Sequence, residues 1–321
     1  MKKVVCFGGG SGMPKAVLRP LKDVEGLEIT SITSMVDNGG STGAIRKEFD
    51  VLPPGDIRRH LLALSEAEDW KKELWNFRFA NDIVFDGGHR GHNFANIFIA
   101  GLEKITGDFE KALEILHDFL KVKGKCYPAT LEKVQLYAEL ENGQVIMGED
   151  EIDVPKMHDG SLRIVDAWLE PEAKAYGKCI EAIKDADYVV IGPGDLYSSL
   201  VPCFLPKGMK EALESTKAKK IFIAPAMTKY GESNGFHLED FVDVLEKYAG
   251  KIDYVIYNTR MPDKNRIRKF KMEEELLLEV VVPRGELDSK KYIGRDLIGE
   301  EGPIKHKPER LKEVLLEIMG M

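Results

Sequence analysis

The sequence predicts an α/β fold: a Rossmann-like, doubly wound and mostly parallel sheet with a helical insertion and an antiparallel edge hairpin. Short apolar runs alternate with amphipathic stretches over most of the chain, the pattern of repeated βαβ units. Glycine-rich turns follow several of those runs directly. The 321 residues, 43% hydrophobic and 31% charged, can bury a large core and leave little for disordered tracts. Residues 1–321 therefore read as one domain, with the insertion at about 60–130.

Residues 3–7 are a short buried strand, and 14–22 a helix whose Pro14 lies in the first turn, where a missing N–H is tolerated. Residues 29–36 form the second strand, parallel to the first through a right-handed crossover. Residues 56–64 read as a helix capped by Asp56, and 70–79 as another. After a loop with Gly87, Gly88 and Gly91, helices span 93–105 and 109–122. Residues 133–140 and 145–148 alternate in polarity around Asn142-Gly143, a hairpin signal, and 162–169 adds a third strand. The α/β pattern then resumes with helix 171–186, strands 188–191 and 220–224, helix 237–248 and strand 253–257. A charged stretch, 263–275, precedes apolar 276–282, and helix 308–319 closes the chain.

A net charge of −8 repels nucleic acid and anionic membranes, so neither is an expected partner, while one local basic pocket for a small anion is still allowed. Cys6, Cys126, Cys179 and Cys203 form no C-x-x-C pair, which argues against a zinc ribbon or a thioredoxin-like motif. Scattered cysteines suit a reducing compartment. The apolar run at the start is too short for a signal peptide or a membrane span. The expectation is a soluble, cytoplasmic protein.

A glycine turn between strand and helix presents backbone N–H groups and a helix's positive dipole end to an anion. In the turn Gly8-Gly9-Gly10-Ser11-Gly12, the glycines allow close approach, Ser11 adds a hydroxyl, and Lys15 adds charge one turn later. Met13 stands where G-x-G-x-x-G has its third glycine, and no G-K-[ST] follows. Neither a nicotinamide cofactor nor ATP is therefore specified. A phosphate or diphosphate is the expected ligand, against the blander reading of a tight turn with none.

The second turn, Asp37-Asn38-Gly39-Gly40-Ser41-Thr42-Gly43, lies on the ligand side of a doubly wound sheet. Asp37 is placed to accept from a ribose hydroxyl or to hold a metal through water, and Gly39 and Gly40 permit close approach. Ser41 offers a hydroxyl, and either Asn38 or Ser41 is a candidate cap for the next helix. Pro53-Pro54-Gly55 delivers Asp56 and Arg58 at a helix start, as cap or as site. His92, Asn93 and Asn96 fall on one face of an otherwise apolar helix and need partners if buried. A third turn supplies Gly192, Gly194, Asp195, Tyr197 and Ser198, while Thr228 and Asn258 follow later strands. Asp37 and Asp195 are the candidate ligands for Mg²⁺, which takes a few carboxylates plus phosphate oxygens. There is no nucleophile elbow, zincin helix or Ser-His-Asp set, so no catalytic residue is assigned.

In this order, the motifs resemble the CofD-like superfamily, most closely its YvcK-like gluconeogenesis-factor branch. The three turns carry the resemblance, with Pro53-Pro54-Gly55-Asp56-Ile57-Arg58, Gly91-His92-Asn93 with Asn96, and Ile105-Thr106-Gly107-Asp108-Phe109. Met227-Thr228 with Gly231-Glu232, and His306-Lys307-Pro308-Glu309, extend it over nearly the whole chain. The resemblance implies a Rossmann-like fold and binding of a UDP-sugar such as UDP-N-acetylglucosamine. It also implies a regulatory role linking carbon metabolism to cell-wall growth and cell shape. The related 2-phospho-L-lactate transferase branch implies the alternative, a Mg²⁺-dependent transferase with a guanosine diphosphate-linked donor and a deazaflavin precursor as acceptor. Asn38 stands where that pattern has a second aspartate, which disfavours a metal. A third class, an interaction scaffold, would leave Gly10 without a role. An apolar edge at the third strand points to a homodimer.

Overall fold

The computed structural model describes residues 1–79 and 91–321, so Gly87 and Gly88 of the predicted loop lie outside the described residues. The first apolar run forms strand β1 (Lys2–Phe7), buried from Val4 onward, and β2 (Leu27–Thr33) pairs beside it in parallel. Between them a π-helical turn, Pro14–Leu18, passes into α-helix at Arg19–Leu21. The second strand ends at Thr33 rather than at 36, which leaves Asp37 in a loop at the strand's carboxyl end. The connection to β3 (Lys125–Pro128) contains the helices Gly40–Phe49, Gly55–Ala63, Asp69–Asn76, Phe94–Thr106 and Phe109–Leu120.

Strands β4 (Gln135–Leu140), β5 (Val145–Met147) and β6 (Ile164–Glu170) follow, then β7 (Tyr188–Ile191) and β8 (Lys219–Ile223). The last four are β9 (Met227–Lys229), β10 (Tyr254–Asn258), β11 (Leu277–Val280) and β12 (Tyr292–Arg295). Seven of these make one parallel sheet in the order β12-β10-β8-β7-β1-β2-β3. The chain builds outward from β1 to β3, returns to β7, and then builds outward the other way. The reversal between β1 and β7 is the topological switch point, where such sheets open a crevice beyond the strands' carboxyl ends.

Successive side chains of a strand point to opposite faces. Val5 and Phe7 enter one core with Val189 and Phe222, whereas Val4 and Cys6 enter the other with Val190 and Ile221. Burial on both faces is why these strands read as continuous apolar runs. The predicted hairpin is present at Asn142-Gly143, but it is not an edge of the main sheet. β5-β4-β6 form a separate antiparallel sheet. Leu136, Ala138 and Leu140 project from β4 into the core that holds Val5 and Phe7, so this sheet lies over a face of the main one. Predicted helix 171–186 starts only at Gly177, in Gly177–Lys184. The charged stretch is the helix Lys264–Glu273, capped by the Asp263 side chain. Among the described residues, no helix is long and apolar enough to cross a membrane.

Candidate functional site

The carboxyl ends of β1, β2 and β7 meet around a cavity of about 920 Å³, a size typical of small-molecule sites. Two glycines let its walls close. A Cβ added at Gly12 would lie less than 3.0 Å from the Pro193 carbonyl oxygen, and one at Gly10 would meet the Asp56 carboxylate and an Arg59 nitrogen at 2.9 Å. His60, buried on the helix Gly55–Ala63, braces the same turn by bonding the Gly9 carbonyl at 3.1 Å and the Ser31 hydroxyl. Burial lowers His60 to about 4, so the ring is neutral. Its Nε2–H donates to Gly9, which leaves Nδ1 to accept from Ser31.

Many predicted residues come together here. Gly9, Gly10, Ser11, Gly12 and Lys15 line the cavity from the first turn, and Asp37, Gly39, Gly40 and Ser41 from the second. Gly194, Asp195 and Ser198 line it from the third, and Asp56, Arg58 and Asn96 from two helices. The remaining predicted residues do not line it. Asn38 accepts the Asp150 N–H at 2.9 Å and so ties the second turn to the helix Glu149–Asp153. His92 bonds the Ser41 hydroxyl at 2.9 Å through Nδ1, and the Asn96 amide donates to the same hydroxyl at 3.3 Å. Asn93 caps the helix Phe94–Thr106, accepting from the N–H groups of Ala95 and Asn96. Gly192 turns the chain with φ +80° before Gly194. Tyr197 donates to the Ile164 carbonyl at 3.1 Å, and Thr228 accepts the Glu279 N–H at 3.0 Å. Asn258 bonds the Arg260 backbone and the Leu297 N–H.

Two capping expectations are corrected. Asp56 sits inside the first turn of its helix, which begins at Gly55 with no side-chain cap. Its carboxylate accepts the Gly10 N–H instead and faces Arg59 at 3.6 Å, because Gly10 has no side chain to keep it away. Neither Asn38 nor Ser41 caps Gly40–Phe49, since Gly39 holds that position while both polar side chains reach other elements.

Much of the acidic lining is muted. Burial raises the Asp37 carboxyl, which accepts the Gly39 N–H at 3.0 Å. Burial and then Asp37 push Asp56 up to about 7. Burial, with Asp37, Asp153, Asp56 and Glu232, pushes Glu149 up to about 9, so it holds a proton at neutral pH. Asp153, Asp195 and Glu232 offer oxygens within 4.8 Å of one another, a donor set for a divalent cation. The ammonium of Lys229 already stands among them, paired with Asp153, with Asp195 at 3.0 Å and with Glu232 at 3.2 Å. Burial opposes that charge, but the three carboxylates together hold it protonated. A Mg²⁺ ion does not fit this trio as it stands, because the lysine supplies the positive charge the ion would bring. Glu232 also accepts the N–H groups of Tyr197 and Ser198, which anchors the third turn.

Sequence reasoning found Lys15 and Arg58 but missed the rest of the basic lining, Arg59, Arg78, Lys156 and Lys305. The spacing of Arg59 from Asp56 carried a local signal. Arg78, Lys156 and Lys305 belong to no motif. A family model described as 2-phospho-L-lactate transferase CofD matches residues 4–293.

The chain belongs to the CofD family.

Its CofD-family relatives include a putative gluconeogenesis factor of Aquifex aeolicus, 38% identical over 99% of this chain and 98% of its own length. A putative gluconeogenesis factor of Thermotoga maritima is 37% identical over 87% of this chain and 85% of its own. The gluconeogenesis factor of Listeria innocua is 35% identical over 99% and 95%. The crystal structure of a UPF0052-family protein from Bacillus halodurans matches with a TM-score of 0.88 at 33% identity, covering 98% of this chain and 100% of that one. The CofD match spans all three glycine turns and ends before the segment that brings Ile304, Lys305 and His306 to the cavity.

Proposed function

We propose that the cavity binds a nucleotide sugar of the UDP-N-acetylglucosamine kind. On this reading the protein is a cytoplasmic regulator of the gluconeogenesis-factor type, linking carbon metabolism to cell-wall growth and cell shape. One observation carries the reading: three glycine-rich strand ends meet at the switch point of the sheet, around a single cavity of about 920 Å³. The backbone of Gly9, Gly10 and Gly12, with Lys15, suits a diphosphate. Ser41, Asn96, Asp195 and Ser198 suit the hydroxyls of a ribose or sugar. The names of the relatives support the gluconeogenesis-factor part of the reading. Calorimetric titration with UDP-N-acetylglucosamine is the test. A ligand at about a hundred times its Kd stabilises the fold by about 2.7 kcal/mol, which a melting curve resolves. Absence of both heat and thermal shift at millimolar ligand rejects the proposal.

The description of the matching family, 2-phospho-L-lactate transferase, favours a second reading as a transferase, for which we take Mg²⁺ and a guanosine diphosphate-linked donor. Tighter binding of GDP than of UDP, with a deazaflavin product formed from donor and Mg²⁺, would establish it. The pairing of Asp195 with Lys229 weighs against it.

A further inference from the structure

Arg58 lines the cavity yet is only 7% exposed. Its Nε has no hydrogen-bond partner, and among the described residues its guanidinium makes no ion pair. The residue is held from behind, where the Trp75 indole donates to its carbonyl at 3.0 Å. Arg59 lies against the Gly10 turn, and Arg78 is pinned by donating to the Gly91 carbonyl at 3.0 Å. Burial, then Arg59 and Arg78, press Arg58 down to about 10, against weaker support from Asp56 and Asp37. A buried cation without a partner is strongly unfavourable, and two like charges beside it make it more so. Such an arrangement is stable when an anion completes it, and a planar guanidinium matches two oxygens of a phosphoryl group.

We propose that Arg58, flanked by Arg59 and Arg78, is a built oxyanion subsite in the cavity wall that takes a phosphoryl group. The proposal rests on the nucleotide-sugar reading only for the source of that group, which is either the nucleotide's diphosphate or inorganic pyrophosphate. The subsite carries a cost when empty, which a merely structural arginine would not. Arg58→Met without ligand should therefore melt at or above the wild-type temperature.

The test uses the full chain as wild type, Arg58→Met, Arg58→Lys and Arg78→Gln, titrated by calorimetry with UDP-N-acetylglucosamine and, separately, with sodium pyrophosphate. Arg58→Met should weaken whichever phosphoryl ligand binds by roughly ten- to a hundredfold, with Arg58→Lys intermediate. Arg78→Gln, near the subsite's edge, should weaken it several-fold and carries the test if Arg58→Met fails to fold. Pyrophosphate bound in an Arg58-dependent way, with no nucleotide-sugar binding, keeps the subsite and removes the nucleotide-sugar reading. Nucleotide-sugar binding that is unchanged in Arg58→Met and Arg78→Gln does the reverse. Failure of both ligands to bind wild type overturns the subsite.

Discussion

A methyl group on Gly12 would lie less than 3.0 Å from the Pro193 carbonyl oxygen and 3.1 Å from its carbon. Gly12 follows β1 and Pro193 follows β7, so the contact bridges the two sides of the switch point. The obstructing atoms are backbone and cannot swing aside as a side chain would. The turns would have to part by roughly half an ångström or more, which forfeits about a quarter to a half of each facing dispersion contact. Overpacking of this kind costs about 1–3 kcal/mol. Unfolding entropy of about 2.1 cal/mol/K per residue over 321 residues makes that a fall of roughly 1.5–4.5 °C in Tm. Gly101→Ala is the control. It lies inside the helix Phe94–Thr106 with nothing within 4 Å of the added methyl, so helix propensity should stabilise it by up to about 1 kcal/mol. Urea unfolding followed by circular dichroism measures both. A Gly12→Ala midpoint equal to wild type, beside a stabilised Gly101→Ala, would refute the close packing of the two turns.

Asp56 stands at about 7 against an ordinary 3.8. Between those values the folded protein keeps a proton that the unfolded chain has released, so this contribution to stability is full below about pH 4 and is lost as pH rises through 7. Asp56→Asn cannot ionise, so its stability relative to wild type should grow by about 2–3 kcal/mol from pH 5 to pH 8, and equal differences in urea titrations at the two pH values would contradict this. Glu149 stands at about 9, so Glu149→Gln imitates its protonated form. Between about pH 4.5 and 9 the folded wild type keeps a proton that the unfolded chain has released, so the variant should match wild type near pH 4, lead it by several kcal/mol at pH 7, and gain nothing further above pH 9. Lys229→Met strips the cation from Asp153, Asp195 and Glu232, and should cost about 3–5 kcal/mol at neutral pH by chemical denaturation. Arg266 donates to six carbonyls from Ile298 to Pro303, so Arg266→Ala should speed amide exchange over 298–306, beside the cavity, and leave β1 protected.

What was legible in the sequence follows from how each element gets its stability. β1, β7 and β8 are buried on both faces, so their own residues announce them. β3, β9 and β12 are three or four residues long and owe their form to a neighbouring strand. The helix Lys264–Glu273 buries only Phe270, so it has no apolar stripe to read, and the Asp263 cap was its one local mark. The glycine turns were legible because close backbone approach demands small residues wherever it occurs. Side-chain direction was not. Asp56 has the spelling of a cap and turns instead to Gly10, a choice that depends on a residue 46 positions away meeting it in space. Arg78, Glu149 and Lys305 come from separate elements and share no motif, so their convergence on the cavity is a product of topology alone.

That convergence resolves an apparent conflict between a net charge of −8 and an anionic ligand. At a physiological screening length of about 8 Å, a ligand inside the cavity responds to the groups lining it rather than to the whole surface. Counting carboxylates along that lining would suggest a negative site. Yet Glu149 carries a proton at neutral pH, Asp37 and Asp56 are pushed toward the neutral form, and Asp153 and Asp195 are paired with Lys229. Arg59 faces Asp56, but Arg58, at about 10, stays charged at neutral pH and makes no ion pair among the described residues. The side of the cavity beside the first glycine turn is therefore positive, and the side beyond it is a field of hydroxyls, amides and protonated acid. A free sugar would leave Arg58 unpaired, and a long polyanion would meet the repulsion of the outer surface. A small molecule with a charged centre and hydroxylated ends satisfies both sides at once.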